Sequence, residues 1–280
     1  VGGRPPTYEA EPTALPAAEP ERLAEVVADT VVEGARYGAL TLRAASVRGD
    51  SARFRGEPRR DHLLVSRFGT GREALLLVTV TSPPRPVAAS AEPAPPGEAA
   101  RRLAAAVGRS RTALVEDLRE GATAADRLRY GLRRFVDAAV RHLPAAPPQA
   151  MRAAALHALL VPLDPDARLR VAFGTGPGGL LLLLRDGGWR DGYPPVPAPG
   201  ADEGDAAFRF RAIVPEPGDV LLLAGVGLCE PLLAEPAAAA YLAEQWGRRP
   251  PPGTVEFLRQ TQVRVKGHAE DRSAVALWES

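Results

Sequence analysis

The chain has 280 residues, 45% hydrophobic and 25% charged, with a formal charge of +1, a composition that excludes a wholly disordered or collagen-like chain. Near-neutral charge gives no reason to expect nucleic acid, whose binding is driven by concentrated basic charge releasing counterions. Lys266 is the only lysine, and the abundance of arginine, alanine, proline and glycine reads as a coding bias, not a binding signal. The lone Cys229 excludes an intrachain disulfide and a cysteine-rich zinc site, so a cytoplasmic setting is expected. No apolar run approaches the roughly 20 residues needed to span a bilayer. The sequence opens at Val1 without Met, as expected for a segment of a longer protein.

In chain order, residues 1–19 are rich in Pro, Ala and Glu without periodicity and read as a disordered linker or tail. Residues 20–280 read as one domain. Its first element is an entry helix over 20–37, with Leu23, Val26, Val27, Val31 and Val32 near one face. Three β-like runs follow, at 38–47, 61–68 and 74–81, and are expected to form a meander of adjacent strands. After a Pro-rich break over 82–97, helical spacing covers 98–120 and 123–142, predicting two long helices in one layer. A short helix is expected over 149–155. Strands then follow at 156–163, 168–173 and 179–185, with Asp186-Gly187-Gly188 as a turn before a short strand at Trp189. Beyond an irregular stretch over 193–207 come strands at 208–214 and 220–224. Helical pieces near 230–246 and 254–262 lead to a last strand at 273–279. Strands, long helices, strands, short helices and a strand, without regular βα alternation, predict an α+β fold.

Four segments carry a family resemblance. Ala45-Ser46-Val47-Arg48-Gly49-Asp50-Ser51, followed by Gly56-Glu57-Pro58-Arg59-Arg60-Asp61, resembles the opening motif of bacterial protein phosphatase 2C domains. Pro217-Gly218-Asp219 with the apolar run to Ala224 and Gly225-Val226-Gly227-Leu228 resembles the family's Pro-Gly-Asp, strand, Ser-Asp-Gly-Leu motif. Gly267 to Leu277 resembles the closing Asp-Asn motif with its terminal strand, and Val171 to Arg185 with Asp186-Gly187 resembles a middle hairpin. The matches keep the family's order over about Tyr37 to Glu279. The resemblance implies a four-layer αββα sandwich of two antiparallel sheets.

It also implies a centre of two Mg²⁺ or Mn²⁺ ions held by aspartates, which activate water for attack on phosphoserine or phosphothreonine. Hard dications need oxygen ligands. The family's first Asp matches Asp61, and its last falls at Glu270, or at Asp271 with a slip of one residue. Its other acids fall at Val80, at Pro177 and at Val226, none of which supplies a carboxylate. The expectation is therefore a pseudophosphatase with no cofactor. Any residual Mg²⁺ or Mn²⁺ binding would fall to the remnants Asp61, Glu270 and Asp271.

Other constellations carry less. The literal G-x-G-x-x-G at Gly174 to Gly179 lacks the helix that would present its N-terminus to phosphate, and reads as a hairpin turn. Cys229 has Glu235 where a cysteine phosphatase needs an arginine, so it reads as a buried small residue. His62, His142, His157 and His268 lack metal-binding spacing and read as surface or packing residues. Arg43, Arg48, Arg53, Arg55, Arg59 and Arg60 crowd the first motif, and the ordinary reading is a solvated arginine-rich loop. Arg55 and Arg60 are the phosphate-binding candidates.

Three functions are weighed. The leading one is a regulatory module that binds a protein or phosphoprotein in bacterial signalling, without nucleic acid or membrane as partner. The others are an atypical metal-dependent phosphatase, drawing further ligands from Asp50 or Asp219, and a structural spacer.

Overall fold

The computed structural model describes residues 15–83, 97–141, 154–193, 208–247 and 250–279. The strands are β1 (Thr30–Tyr37), β2 (Leu40–Val47), β3 (His62–Phe68), β4 (Leu75–Ser82), β5 (Ala155–Pro162), β6 (Arg170–Thr175), β7 (Gly179–Leu183), β8 (Trp189–Asp191), β9 (Phe208–Ile213), β10 (Val220–Ala224) and β11 (Arg272–Glu279). They form a six-stranded sheet, ordered β1-β2-β11-β10-β7-β8, and a five-stranded sheet, ordered β3-β4-β5-β6-β9. Every pairing is antiparallel.

Alternation along the strands builds three core layers. On β4, Leu76, Val78 and Val80 turn into the space between the sheets, where they meet Leu42, Leu159, Leu223 and Val275. Leu75 and Leu77 turn the other way, against α2 (Glu98–Arg109), α3 (Arg111–Glu120) and α4 (Ala125–Val140), through Leu103, Leu128 and Leu132. The outer face of the six-stranded sheet packs on α5 (Val226–Ala234), α6 (Pro236–Trp246) and α7 (Thr254–Thr261), with Trp246, Phe257 and Trp278 in mutual ring contact. Central strands covered on both faces read as continuous apolar runs, which is why Leu75 to Val78 and Val220 to Ala224 show no polar alternation. The four-layer αββα sandwich is the observed architecture.

Several expectations are corrected. Residues 20–37 form a 3₁₀ turn, Pro20–Glu25, followed by β1. Leu23 and Val26, on the supposed helical face, are exposed, while β1 pairs with β2 from Thr30↔Val47 to Tyr37↔Leu40 around Gly38, whose φ is +58°. The β-branched Val31 and Val32 suit that ladder better than a helix. The 98–120 helix breaks at Ser110 into α2 and α3. The three early strands are no meander, because β2 lies in one sheet and β3 with β4 in the other. The Gly174 to Gly179 link is no hairpin turn either: β6 and β7 belong to different sheets, and the hairpin proper joins β7 to β8. Ala154 lies outside any helix and Ala155 opens β5 instead of closing one; the remainder of that expected helix, 149–153, lies outside the described residues, as do 1–14 of the tail and His142.

Candidate functional site

The sequence motifs meet at one end of the sandwich. Asp61 precedes β3, Val80 lies near the end of β4, Gly225 and Val226 join β10 to α5, and Asp271 precedes β11. A Cβ on Gly225 would lie 2.9 Å from Asp61 Oδ2 and 3.5 Å from both Val80 Cγ1 and Ser273 Cβ. A Cβ on Gly178, next to Pro177, would lie 2.8 Å from the Ala224 carbonyl oxygen and 3.2 Å from the Val226 nitrogen. Asp61, Val80, Pro177, Val226 and Asp271 therefore share this end of the fold.

Both buried carboxylates face inward to the protein's own donors. Asp271 accepts the Gly49 N–H on Oδ1 at 2.8 Å, and the N–H groups of Arg60 and Asp61 on Oδ2 at 2.7 and 3.0 Å. It thereby fastens the first motif to the last. The same junction requires glycine on both sides, since a Cβ on Gly49 would lie 2.3 Å from the Glu270 carbonyl carbon and one on Gly227 2.2 Å from the Asp271 oxygen. Glu270 is half-buried in this clamped turn.

Asp61 ends a hydrogen-bond relay. Ser273 Oγ donates to Asp61 Oδ2 at 3.0 Å and lies 2.7 Å from Ser46 Oγ, and Arg59 Nη1 donates to Ser46 Oγ at 2.7 Å. Because the Ser273 proton goes to the carboxylate, Ser46 must donate to Ser273, and every bond points from the guanidinium toward the carboxylate. Arg59 also donates to the Asp61 carbonyl and, through Nε, to the Ala28 carbonyl at 3.0 Å. Burial lowers the Arg59 pKa, while Asp271, Asp61 and Asp29 oppose that shift by holding its charge. Arg48 is buried too and ion-paired to Asp29 at 2.6 Å. The expected solvated arginine loop is thus corrected: Arg48 and Arg59 are interior cations anchored by Ala28 and Asp29.

The Pro177 position is held by a second polar group. Nε2 of the fully buried His157 lies 3.2 Å from the carbonyl oxygens of Gly176 and Pro177. Carbonyls only accept, so Nε2 carries the proton and Nδ1 accepts from the Tyr193 hydroxyl at 3.4 Å. Burial, followed by the charge of Arg209, lowers the His157 pKa to about 4. Arg209 lies 4.3 Å from the Tyr193 ring centroid, bonds the Gly178 carbonyl at 3.2 Å and pairs with Asp191 at 3.0 Å. Cys229 is buried, as expected, and burial pushes its thiol up to about 12.

The phosphate-binding candidates converge on one acid. Arg55 Nε and Nη2 hold the two oxygens of Glu57 at 3.0 and 3.1 Å, and Arg60 Nη2 lies 3.3 Å from Glu57 Oε2. The Glu57 carboxylate thus stands between the two guanidinium groups.

The donor set does not fit a centre of two divalent cations. Val80 and Val226 present methyl groups, both oxygens of Asp271 are engaged by backbone N–H groups, and Asp61 Oδ2 is engaged by a serine. Among the described residues no group of three or more His, Cys, Asp or Glu gathers to hold a metal ion. The fold brings Asp61, Asp271, Val80, Pro177 and Val226, all named from sequence, to one end, whereas Ser46, Ser273 and Arg59 were missed as a unit. The serines' only signal is their place beside small apolar residues, in Ala44-Ala45-Ser46-Val47 and Ser273-Ala274-Val275, and Arg59 has none.

No protein-family model matches the chain, and no curated protein matches it. Solved structures match by shape. The photosystem II phosphatase PBCP has a TM-score of 0.54 at 10% identity, over 86% of this chain and 99% of that one. A phosphatase from Toxoplasma gondii has a TM-score of 0.52 at 13% identity, over 89% and 95%. The PP2C phosphatase domain of the cell fate determinant SpoIIE from Bacillus subtilis, with a fragment of its regulatory domain, has a TM-score of 0.51 at 10% identity, over 90% and 70%. With the sandwich, its strand order and the converging motifs, these likenesses establish that the chain has the protein phosphatase 2C fold.

Proposed function

We propose that this domain is a pseudophosphatase: a protein phosphatase 2C-like module that binds a protein or phosphoprotein partner in bacterial signalling and does not hydrolyse phosphoesters. The observation that carries this reading is the closed Arg59-Ser46-Ser273-Asp61 relay, in which the acid at the entrance to β3 is charge-compensated from inside the protein. A water nucleophile activated by two cations requires several carboxylates directed at the same point. Here the converging positions are valines and a proline, and Asp271 serves as a clamp between chain segments.

The scaffold is retained, which supports a role for its surface. Phe54, 59% exposed, ends the short helix α1 (Asp50–Phe54) and directly precedes Arg55 in the chain. A phosphorylated segment docking there would displace Glu57 from Arg55 and Arg60, since guanidinium forks take phosphate in the same bidentate manner as carboxylate. A signalling setting is supported by the likeness to the phosphatase domain of SpoIIE, a cell fate determinant that also has a regulatory domain.

The test pairs turnover with binding. Phosphoserine and phosphothreonine peptides are incubated with the protein and excess Mn²⁺, and released phosphate is followed beside peptide-binding anisotropy. The reading expects no release above the metal-only control and peptide binding weakened by Arg55→Ala. Release that disappears with chelator would overturn it in favour of the atypical phosphatase.

A further inference from the structure

The end of the sandwich away from Asp61 holds a second concavity. It opens between the two sheets where the β1–β2 turn, the start of β4, the end of β5 and the end of β11 meet, and has a volume of about 710 Å³. That is within the roughly 300–1,000 Å³ range of small-molecule sites. It shares no lining residue with the Asp61 cluster, so it stands independently of the function proposed above.

Its walls combine an apolar floor with uncompensated positive charge. Tyr37, Leu40 and Leu163 supply apolar surface. The acids on its wall are already engaged: Asp164 is paired with Arg72 and Arg119, each at 3.2 Å and neither lining the cleft, and Glu279 accepts Arg170 Nε at 2.6 Å. Arg67 and Arg168 remain. Both are exposed and line the cleft; Arg67 has no hydrogen-bond or ion-pair partner among the described residues, and Arg168 makes one bond, to the Pro215 carbonyl at 3.3 Å. Guanidinium groups beside a recessed apolar wall favour a ligand with an anionic head and an apolar body, because the head gains charge-assisted bonds while the body leaves water.

We propose that this cleft is a binding site for a small amphipathic organic anion, a carboxylate or sulfonate carried on an aromatic or aliphatic body. The probe is 8-anilinonaphthalene-1-sulfonate, titrated by fluorescence into the folded full chain, beside the same ring system without its sulfonate, N-phenyl-1-naphthylamine. The expected result is one saturable sulfonate site per chain, with the uncharged ring binding much more weakly. Arg67→Glu/Arg168→Glu is expected to weaken the sulfonate about tenfold or more, as reversal of two charges at the head group demands. Ala39→Trp, which places a large side chain at the exposed lip, is expected to abolish it, with circular dichroism verifying that both variants remain folded. Absence of sulfonate binding, equal affinity for the uncharged ring, or variants that bind as the parent does would each overturn the proposal.

Discussion

Ser273 and Asp61 stand 212 positions apart in sequence, and the Ser273 hydroxyl donates to Asp61 Oδ2 at 3.0 Å. The bond ties β11 of one sheet to the segment entering β3 of the other, at the end of the sandwich where Val80, Gly225 and Asp271 also meet. A buried carboxylate needs compensation wherever it sits. In this chain the compensation is a serine relay ending on a buried guanidinium. The consequences are open to measurement.

Removing the relay's middle should cost stability without any metal present. Ser273→Ala takes away the donor to a buried ionised acceptor and is expected to destabilise by about 1.5–3 kcal/mol. Ser46→Ala breaks the same chain one bond earlier, so the two changes should be non-additive, with a coupling of about 0.5–3 kcal/mol. Urea unfolding of the double-mutant cycle in EDTA checks this, and strict additivity would contradict the relay.

Asp271→Asn distinguishes a clamp from a metal ligand. An amide has one acceptor oxygen, so its NH₂ must face either the Gly49 N–H or those of Arg60 and Asp61. The expected loss is about 2–4 kcal/mol, with a Tm fall of roughly 5–10 °C for a chain of this size. Thermal unfolding in chelator reads it directly. No change in Tm there would mean that the carboxylate does not serve as the clamp.

Much of this was legible in sequence because central strands buried on both faces announce themselves as apolar runs, and because the motif frames at Gly49, Gly225 and Gly227 survive for backbone reasons. Gly49 and Gly227 grip the Glu270-Asp271 turn with no room for a Cβ, whether or not metal is held. What stayed illegible was partnership. Nothing in Val31-Val32 says whether a β-branched pair faces a helix or a ladder until the Gly38 turn brings β2 alongside. Buried strands likewise do not declare in sequence which sheet they join, so the sequence alone makes β2 and β3 neighbours. Arg59 looked like its many neighbouring arginines, and only its burial against Ser46 separates it from them.

His157 should leave a signature in acid. Its folded pKa, about 4, lies below the ordinary value of 6.5, so the unfolded chain takes up a proton that the folded chain refuses. Its contribution is therefore fully present above about pH 6.5 and is lost as pH falls toward 4, at up to about 1.4 kcal/mol per pH unit. His157→Gln is expected to be less stable at pH 7 but to lose about 2 kcal/mol less than the parent between pH 7 and 5. Denaturant midpoints across that range decide the matter, and parallel profiles would contradict the assignment of His157 as a buried neutral group.

Val80 measures the cost of placing a carboxylate at that position by itself. It is 1% exposed between the sheets, and Val80→Asp would bury a second carboxylate near Asp61. Expected destabilisation at pH 7 is about 3 kcal/mol or more. The deficit relative to the parent should shrink toward pH 5, because burial and a like charge both raise the new group's pKa and protonation removes its charge. Unfolding free energies of the two proteins at both pH values test this, and a deficit that grows on acidification would contradict it.

The most direct test of the central claim is calorimetric titration of Mn²⁺ into metal-free protein at neutral pH, with Asp61→Ala as the control. The account predicts no saturable heat in the micromolar range and no difference between parent and control. Micromolar binding that disappears in Asp61→Ala would contradict it, because it would show that Asp61 leaves the Ser273 relay to hold a cation.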